Sequence, residues 1–405
     1  MKAGLHPVET RPARQWRRGV AGDTAIERPL ADETPVGLLY DGCPYVVLMA
    51  TPAEVEDLAV GFLFTEGIIQ RRAQVVGVAC EATHVVVDLA PGVQLSDNLA
   101  HLGVIDAVCS PPEARATFDR LLRVMMARRE RGLTSEAHAV APALPDPAPL
   151  PDTPAWESIL HTRRPDRPGL RDLLEVAARD VTMLNGTGDG ESHPGSVLAL
   201  ARFGEAPCVV IGQDREGQDT PLGPAALREV RRGIRLAREL RLPLVSVIDT
   251  TGGALSKEAE ERGIASEIAR TLSELLTLPT PTVSLLMGQG TGGIALALNP
   301  ADRVLASQHA WLAPLPPEGA SAIMHRTPDH APAMAAAQGV RAAELLANGI
   351  VDHIVPEPDD PARDRDVFCL GLGQALRAAL LTVMAIPRRE RRAQRAARYR
   401  GLGLS

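Results

Sequence analysis

Residues 36–39, VGLL, and 45–48, YVVL, are short strand-like runs, and the dipeptide Asp41-Gly42 stands between them. A period of two sends successive side chains to opposite faces of a strand, and Asp-Gly supplies a tight turn, so this stretch predicts a β-hairpin. Thr51-Pro52 predicts a helix start, with Thr as N-cap, Pro at the first helical position and Glu54, Glu56 and Asp57 near the positive end of the helix. That helix runs to about residue 64 and stops at Gly67. Two further strands, at 75–79 and 84–89, complete a small α+β unit.

After Pro91-Gly92 the pattern changes to a helix, a short strand at 104–108 and a long helix from Pro112 to about residue 131. The segment ALPDPAPLPDTP, residues 143–154, holds too much proline for helix or sheet and reads as a semi-rigid linker. Beyond Trp156, apolar runs at 196–201, 208–212, 244–249, 282–287 and 303–306 alternate with helical periodicity at 224–240, 257–276 and 292–298. Alternation of this kind predicts an α/β architecture around a largely parallel sheet. One stretch is repeated: LAHLGVIDAV at 99–108 is echoed by LANGIVDHIV at 346–355, each read as a helix that ends at glycine before a strand. The match is either a duplicated unit or a coincidence between two apolar junctions.

A chain of 405 residues exceeds one ordinary compact domain, so two or three units are expected. The 45% hydrophobic and 23% charged fractions place it among globular proteins, and the net charge of -7 argues against nucleic acid as a general partner. Cys43, Cys80, Cys109, Cys208 and Cys369 have no spacing for a zinc ribbon or a redox pair, so they read as reduced, mostly buried thiols, and no metal is expected. The basic start lacks an apolar stretch behind it, and no run reaches the roughly 18 apolar residues of a membrane span. A cytoplasmic protein with no membrane partner is the expectation.

The chemistry concentrates in two glycine turns. Ile248-Asp249-Thr250-Thr251 leads into Gly252-Gly253, and Gly288-Gln289-Gly290-Thr291 leads into Gly292-Gly293-Ile294. Each turn is placed at the carboxyl end of a buried strand, the edge of a parallel sheet where ligands bind. Glycine lets a ligand approach the main chain, and the first amides of a helix donate to an oxyanion. A Walker loop is excluded because Ile294 stands where Lys would be required, and the dinucleotide pattern is unmet. For Gly288 and Gly290, tight strand-to-helix packing accounts for glycine as well as ligand binding does. Glu260, Glu261 and Arg262 form a candidate acid–base set that dipole partnership also explains, and Glu318 before Gly319 stands in the same position. The run RRERRAQRAARYR at 388–400 is either a phosphate contact or a solvated helix.

The segments IDTTGGALSKEAEERGIASEIARTLSEL, GQGTGGIALAL, WLAPLPPEGASAIMHRTPDHAP and LLANGIVDHIVPEP resemble, in order and spacing, the alpha subunit of bacterial acetyl-CoA carboxylase carboxyltransferase. The resemblance implies a crotonase/ClpP-like carboxyltransferase domain over 155–387. It implies that the Gly292 and Gly293 amides hold the carbonyl oxygen of biotin, with Gly252, Gly253, Gly288, Gly290, Thr291, Ile294, Glu318 and Gly319 around the substrate. Most of the family has Glu-Gly-Gly-Ser-Gly-Gly where this chain has Gly-Gln-Gly-Thr-Gly-Gly, and Thr251-Gly252 replaces a common Pro-Gly.

Residues 91–133 resemble the tail of the beta-type half of that enzyme, whose two halves are related, which would explain the repeat. The beta half's zinc ribbon, acyl-CoA pocket and second glycine pair have no counterpart here. Residues 27–90, with TPAEVEDLAVGFLFTEGI, resemble the amino-terminal part of formate dehydrogenase accessory sulfurtransferases, without their cysteine loop. The organisation implied is a disordered arm over 1–26, these two fragments, a Pro-rich linker over 134–154, the carboxyltransferase domain and a basic tail over 388–405. The implied activity is carboxyl transfer to acetyl-CoA or another coenzyme A thioester in fatty acid biosynthesis. Biotin would arrive on a biotin carboxyl carrier protein, and a beta-type subunit would complete a homo- or hetero-oligomer. The alternatives are a sulfurtransferase-like accessory protein, acting through Cys43 or Cys80, and a non-catalytic fusion.

Overall fold

The computed structural model describes residues 8–16, 23–31, 33–40, 42–51, 53–69, 71–81, 84–90, 99–127, 150–217 and 219–402. The chain divides into two compact units, Met1–Leu99 and Ala100–Ser405.

In the first unit, β1 (Val8–Trp16) and β2 (Asp23–Ala31) pair antiparallel, with Val8 opposite Ala31 and Trp16 opposite Asp23. Over 8–16 and 23–26 this replaces the disordered arm expected for 1–26, whose other residues lie outside the described ones. An antiparallel ladder joins main chains, so a charged sequence without apolar periodicity can still form it. A four-stranded sheet follows in the order β4 (Cys43–Ala50), β3 (Thr34–Tyr40), β6 (His84–Leu89), β5 (Val75–Glu81). The expected hairpin is present as β3–β4. The helix Val55–Thr65 buries Ala59 and Leu63 among Leu38, Val85 and Val87. It starts at Val55 with Glu54 before it, and not at Pro52, because the Ala53 amide donates to the Thr51 carbonyl (2.7 Å) in a turn too tight for helix.

The second unit is built on an eight-stranded sheet. Its main path is β14 (His353–Val355), β12 (Arg303–Ser307), β11 (Thr282–Thr291), β10 (Leu244–Thr250), β9 (Ala206–Gln213), β8 (Ser196–Phe203), β7 (Arg179–Leu184), and β13 (Trp311–Ala313) pairs with β11. Pairings from β14 to β9 are parallel, and β9–β8–β7 are antiparallel. Every residue of β9, β10 and β11 is buried, as expected of strands covered on both faces. Alternate residues of β8 enter two different cores. Leu198 and Leu200 join the helices Pro224–Leu240, Ile264–Thr277 and Gly292–Leu298, while Val197, Ala199 and Ala201 join Leu170–Ala177 and Arg365–Ala385. The result is the crotonase-like α/β fold expected from the sequence.

Several local expectations are corrected. The helix expected over 257–276 is broken into Lys257–Glu261 and Ile264–Thr277 at Gly263, whose φ is +79°. Residues 104–108 form no strand; Asp106 is instead tied to Arg232 at 2.9 Å through both carboxylate oxygens. The repeat is therefore partial. Gly103 and Gly349 share a left-handed φ, +72° and +69°, and each donates its amide three residues back (3.0 Å), but only the second leads into a strand.

Val124 lies in the first core and Gly188 donates to the Gly103 carbonyl (2.9 Å), so residues 100–127 belong to the second unit. Much of the expected linker falls outside the described residues. Cys208 and Cys369 are buried but Cys80 and Cys109 are exposed, against the expectation of mostly buried thiols. Helix Arg365–Ala385 is, by length and composition, apolar enough to cross a membrane, which corrects the reading that no run was. Leu372, Leu376, Leu380 and Val383 spend that apolar character in the second core.

The basic run at 388–400 forms the helix Arg388–Gly401, and it is not a solvated one throughout. Arg391 and Arg395 are fully buried. Arg395 donates to both Asp302 oxygens (2.8 and 2.6 Å) and to the carbonyls of Leu275, Leu278 and Thr280 (2.9, 2.8 and 3.1 Å). Those carbonyls lie at and just beyond the end of Ile264–Thr277, where a helix leaves acceptors without internal donors. A spaced arginine pattern does not reveal such acceptors.

Candidate functional site

β10 and β11 are neighbouring parallel strands, so the segments that leave their carboxyl ends emerge side by side. After β10 the chain turns at Gly252, whose φ of +122° excludes most side chains, and whose amide donates to Thr250 Oγ1 (3.1 Å). Gly253 bridges to Leu222, and the Ala254 amide donates to the Leu222 carbonyl at 2.8 Å. After β11 the chain enters Gly292–Leu298 with Gly292 at φ +73°.

The two turns touch. A Cβ on Gly252 would lie 3.7 Å from Thr291, and one on Gly253 only 2.8 Å from Ile294 Cδ1. Six of the expected site residues, Gly252, Gly253, Thr291, Gly292, Gly293 and Ile294, are thus gathered in one place. Thr291 and Ile294 are buried under it, whereas Gly292 and Gly293 are half-buried. A Cβ on Gly292 would meet nothing within 4 Å, so this position faces open space. Gly292 and Gly293 are the first two residues of their helix, where amides have no intrahelical acceptor, and the Thr291 side chain does not cap them.

Gly288 and Gly290 lie within buried β11 and their glycines have packing reasons. A Cβ at Gly288 would fall 2.5 Å from Asp249 Oδ1, and one at Gly290 2.8 Å from the Trp311 carbonyl oxygen. Glu318 and Gly319 open the helix Pro317–His325. Glu318 accepts a two-pronged hydrogen bond from Arg163, which holds its carboxyl below the usual range. Arg163 also donates to Gln289 Oε1 (3.3 Å), and its guanidinium lies 5.5 and 5.7 Å from the Trp156 and Trp311 rings. Glu318 therefore reaches the glycine turn only through Arg163 and Gln289. The candidate set Glu260, Glu261 and Arg262 is exposed, with Lys257–Glu261 and Arg262–Glu191 pairs that make it a surface feature.

Beneath the turns lies a polar layer that the sequence reading did not single out. Asp249 is buried on β10, and burial raises its carboxyl above the usual range against the pull of Arg215, whose Nη1 is 3.5 Å away. Arg167 and Glu357 form a buried pair (2.7 Å), and Arg167 also donates to the Met287 carbonyl (3.2 Å). Burial alone would raise Glu357, but Arg167 outweighs it and the carboxyl is lowered. Asp249 carried a signal in the sequence, the one charge in a strand otherwise uncharged; Arg163 at a helix end, Arg167 in a loop and Arg215 in a single 3-10 turn carried none.

Glycine turns that leave the carboxyl ends of neighbouring parallel strands side by side place this domain in the crotonase-like fold class. Residues 151–403 match the family described as acetyl co-enzyme A carboxylase carboxyltransferase-like, and residues 31–140 match the FdhD/NarQ family. The second match runs past residue 90 and overlaps the segment whose resemblance was to a beta-type tail.

A probable biotin-dependent acyl-coenzyme A carboxylase beta3 subunit of Mycobacterium tuberculosis is 52% identical over 315 residues, 77% of this chain and 62% of that protein. The acetyl-coenzyme A carboxylase carboxyl transferase subunit alpha of Methylococcus capsulatus is 35% identical over 62% of this chain and 81% of its own length. A single-chain, multi-domain long-chain acyl-CoA carboxylase has a similar fold over 68% of this chain and 27% of its own, at 17% identity and a TM-score of 0.50. The chain belongs to the acetyl co-enzyme A carboxylase carboxyltransferase-like family. It spans about 62% of the length of the mycobacterial relatives it matches.

Proposed function

We propose that this chain is a carboxyltransferase component of a biotin-dependent acyl-CoA carboxylase, moving a carboxyl group from carboxybiotin to acetyl-CoA or a related thioester in fatty acid biosynthesis. The observation that carries the reading is the pair of touching glycine turns, with Gly292 and Gly293 opening a helix without a side-chain cap and Gly292 facing open space. In this reading the two amides donate to one biotin oxygen and favour the negative charge that develops there as CO2 departs. The biotin nitrogen freed in that step is itself a base for the acyl-CoA α-proton, so no side-chain base is required. Thr291 and Ile294 hold the two turns together, and the Arg163–Glu318 pair steadies Gln289 ahead of them. In this reading a biotin carboxyl carrier protein delivers the biotin, and a beta-type subunit supplies the thioester site. Exposed Leu255, Ile323 and Met324 provide apolar surface for such partners on the loop after Gly253 and on the helix that carries Glu318.

The test is labelled malonyl-CoA formation from carboxybiotin, with and without a beta-type subunit. Activity is expected only with the subunit present, and Gly293→Val should lower it about 10²-fold or more by displacing a donor. Full activity from the chain alone, or an unaffected variant, would sink the assignment.

A sulfur-transfer role has the FdhD/NarQ match in its favour. Cys80 is exposed, but partial burial and the neighbouring Glu56 carboxylate raise its thiol above the ordinary range, the reverse of what a reactive thiolate needs.

A further inference from the structure

β10 and β11 do not pair evenly. Ile248 is opposite Leu286 and Thr250 is opposite Gly290, so residues 287–289 of β11 face the single residue Asp249. A bulge of this size leaves main-chain groups without ladder partners, and here the whole of both strands is buried, so an amide left over would have no water to turn to. The Asp249 side chain takes up that amide. Its Oδ1 accepts the N–H of Gln289, the last residue of the bulge, at 3.0 Å. The absence of a side chain at Gly288 is what lets the carboxylate enter, since a Cβ there would be 2.5 Å from Oδ1.

The carboxylate is fixed from the other side. Arg215 Nη1 stands 3.5 Å from Oδ2, and its Nη2 donates to the Thr162 carbonyl at 2.8 Å. The Asp249 amide donates to Gln213 Oε1 (3.1 Å), tying the residue to β9 as well. Past the bulge, Thr250 and Gly290 pair again, and each is followed within two residues by a site glycine, Gly252 and Gly292. The register restored at Thr250, past Asp249, is thus the register in which the two turns leave the sheet.

We propose that Asp249 is a positioning residue: by closing the β11 bulge through the Gln289 amide, its carboxylate sets the Gly292–Gly293 donors relative to the Gly252–Gly253 turn. The catalytic half of this inference rests on the carboxyltransferase reading; the geometric half does not. It acts on turnover and not on substrate binding, because displacing donors by about 1 Å can cost on the order of 10²-fold in the chemical step.

The experiment compares Asp249→Ala and Asp249→Asn with wild type in the full chain, by amide hydrogen exchange across residues 286–294 and by carboxyl-transfer kinetics with a beta-type subunit. Asp249→Ala should raise exchange in that segment about tenfold or more while residues 206–213 keep theirs, and should lower kcat about 10- to 100-fold with KM for carboxybiotin nearly unchanged. Asp249→Asn keeps an acceptor for the Gln289 amide and should restore most of the protection and part of kcat. Wild-type exchange over 286–294 in Asp249→Ala, loss of protection spread evenly through the sheet, or an unchanged kcat would each overturn the proposal. If wild type with the subunit makes no malonyl-CoA, the carboxyltransferase reading falls, and the exchange pattern alone still decides whether Asp249 holds the turns.

Discussion

Replacing Arg395 by methionine removes a fully buried guanidinium while keeping most of the side chain's volume. Five hydrogen bonds disappear with it, two to Asp302 and three to the carbonyls of Leu275, Leu278 and Thr280. The Asp302 carboxylate is 4% exposed and retains the Thr282 amide (2.8 Å) and hydroxyl (3.0 Å), with Arg391 Nε 3.6 Å away. Breaking one side of a buried pair costs about 3–5 kcal/mol, chiefly because the remaining charge stays buried. The three carbonyls push toward the upper end of that range, since each loses a donor, although that of Leu275 keeps the Leu278 amide (3.3 Å).

Urea unfolding followed by the fluorescence of Trp156 and Trp311, both in the second unit, measures the cost. Arg395→Lys should recover less than half, because an ammonium cannot span a carboxylate and three carbonyls as the planar fork does. The double variant Arg395→Met/Asp302→Asn should be more stable than Arg395→Met alone, as the unpaired charge is gone. A loss below about 1 kcal/mol for Arg395→Met, comparable to an exposed ion pair, would refute the view that this helix is bolted into the domain.

Glu229 is buried beside Ser196, Arg232 and the main chain of Gly186 and His193, and burial raises its carboxyl from 4.5 to about 7. The folded state then holds a proton that the unfolded state has lost, so stability should fall as pH rises from about 4.5 to 7, by up to about 3 kcal/mol. Glu229→Gln should flatten that part of the pH–stability curve, and an unchanged slope in the variant would assign it elsewhere. Gly292→Ala places a Cβ in open space but at φ +73°, so unfolding experiments should show a cost of about 1–2 kcal/mol from the left-handed backbone alone. Gly288→Ala drives a Cβ to 2.5 Å from a buried carboxylate and should cost about 1–3 kcal/mol, a melting shift that Gly223→Ala, with nothing within 4 Å and φ -109°, should not match on steric grounds.

The sequence by itself determined the α/β class, the parallel run of strands and the two glycine turns, because these depend on local quantities: period, strand length and the need for glycine at a turn. β8 to β12 each cover an apolar run legible in the chain, and Gly252, Gly253, Gly292 and Gly293 stand where the pattern put them. Only the tertiary structure decided which polar groups are spent inside. Arg395 looks like any surface arginine until the carbonyls following a helix more than 100 positions earlier are brought against it. Val104 to Val108 has the composition of a strand but no neighbour to pair with, so it remains irregular. Gly288 could be read as a ligand contact or a packing glycine, and the Asp249 carboxylate lying against it supplies a packing reason that the local pattern did not show. Local pattern fixes what a segment can become, whereas satisfaction of buried donors and acceptors depends on partners distant in sequence, which the fold alone brings within reach.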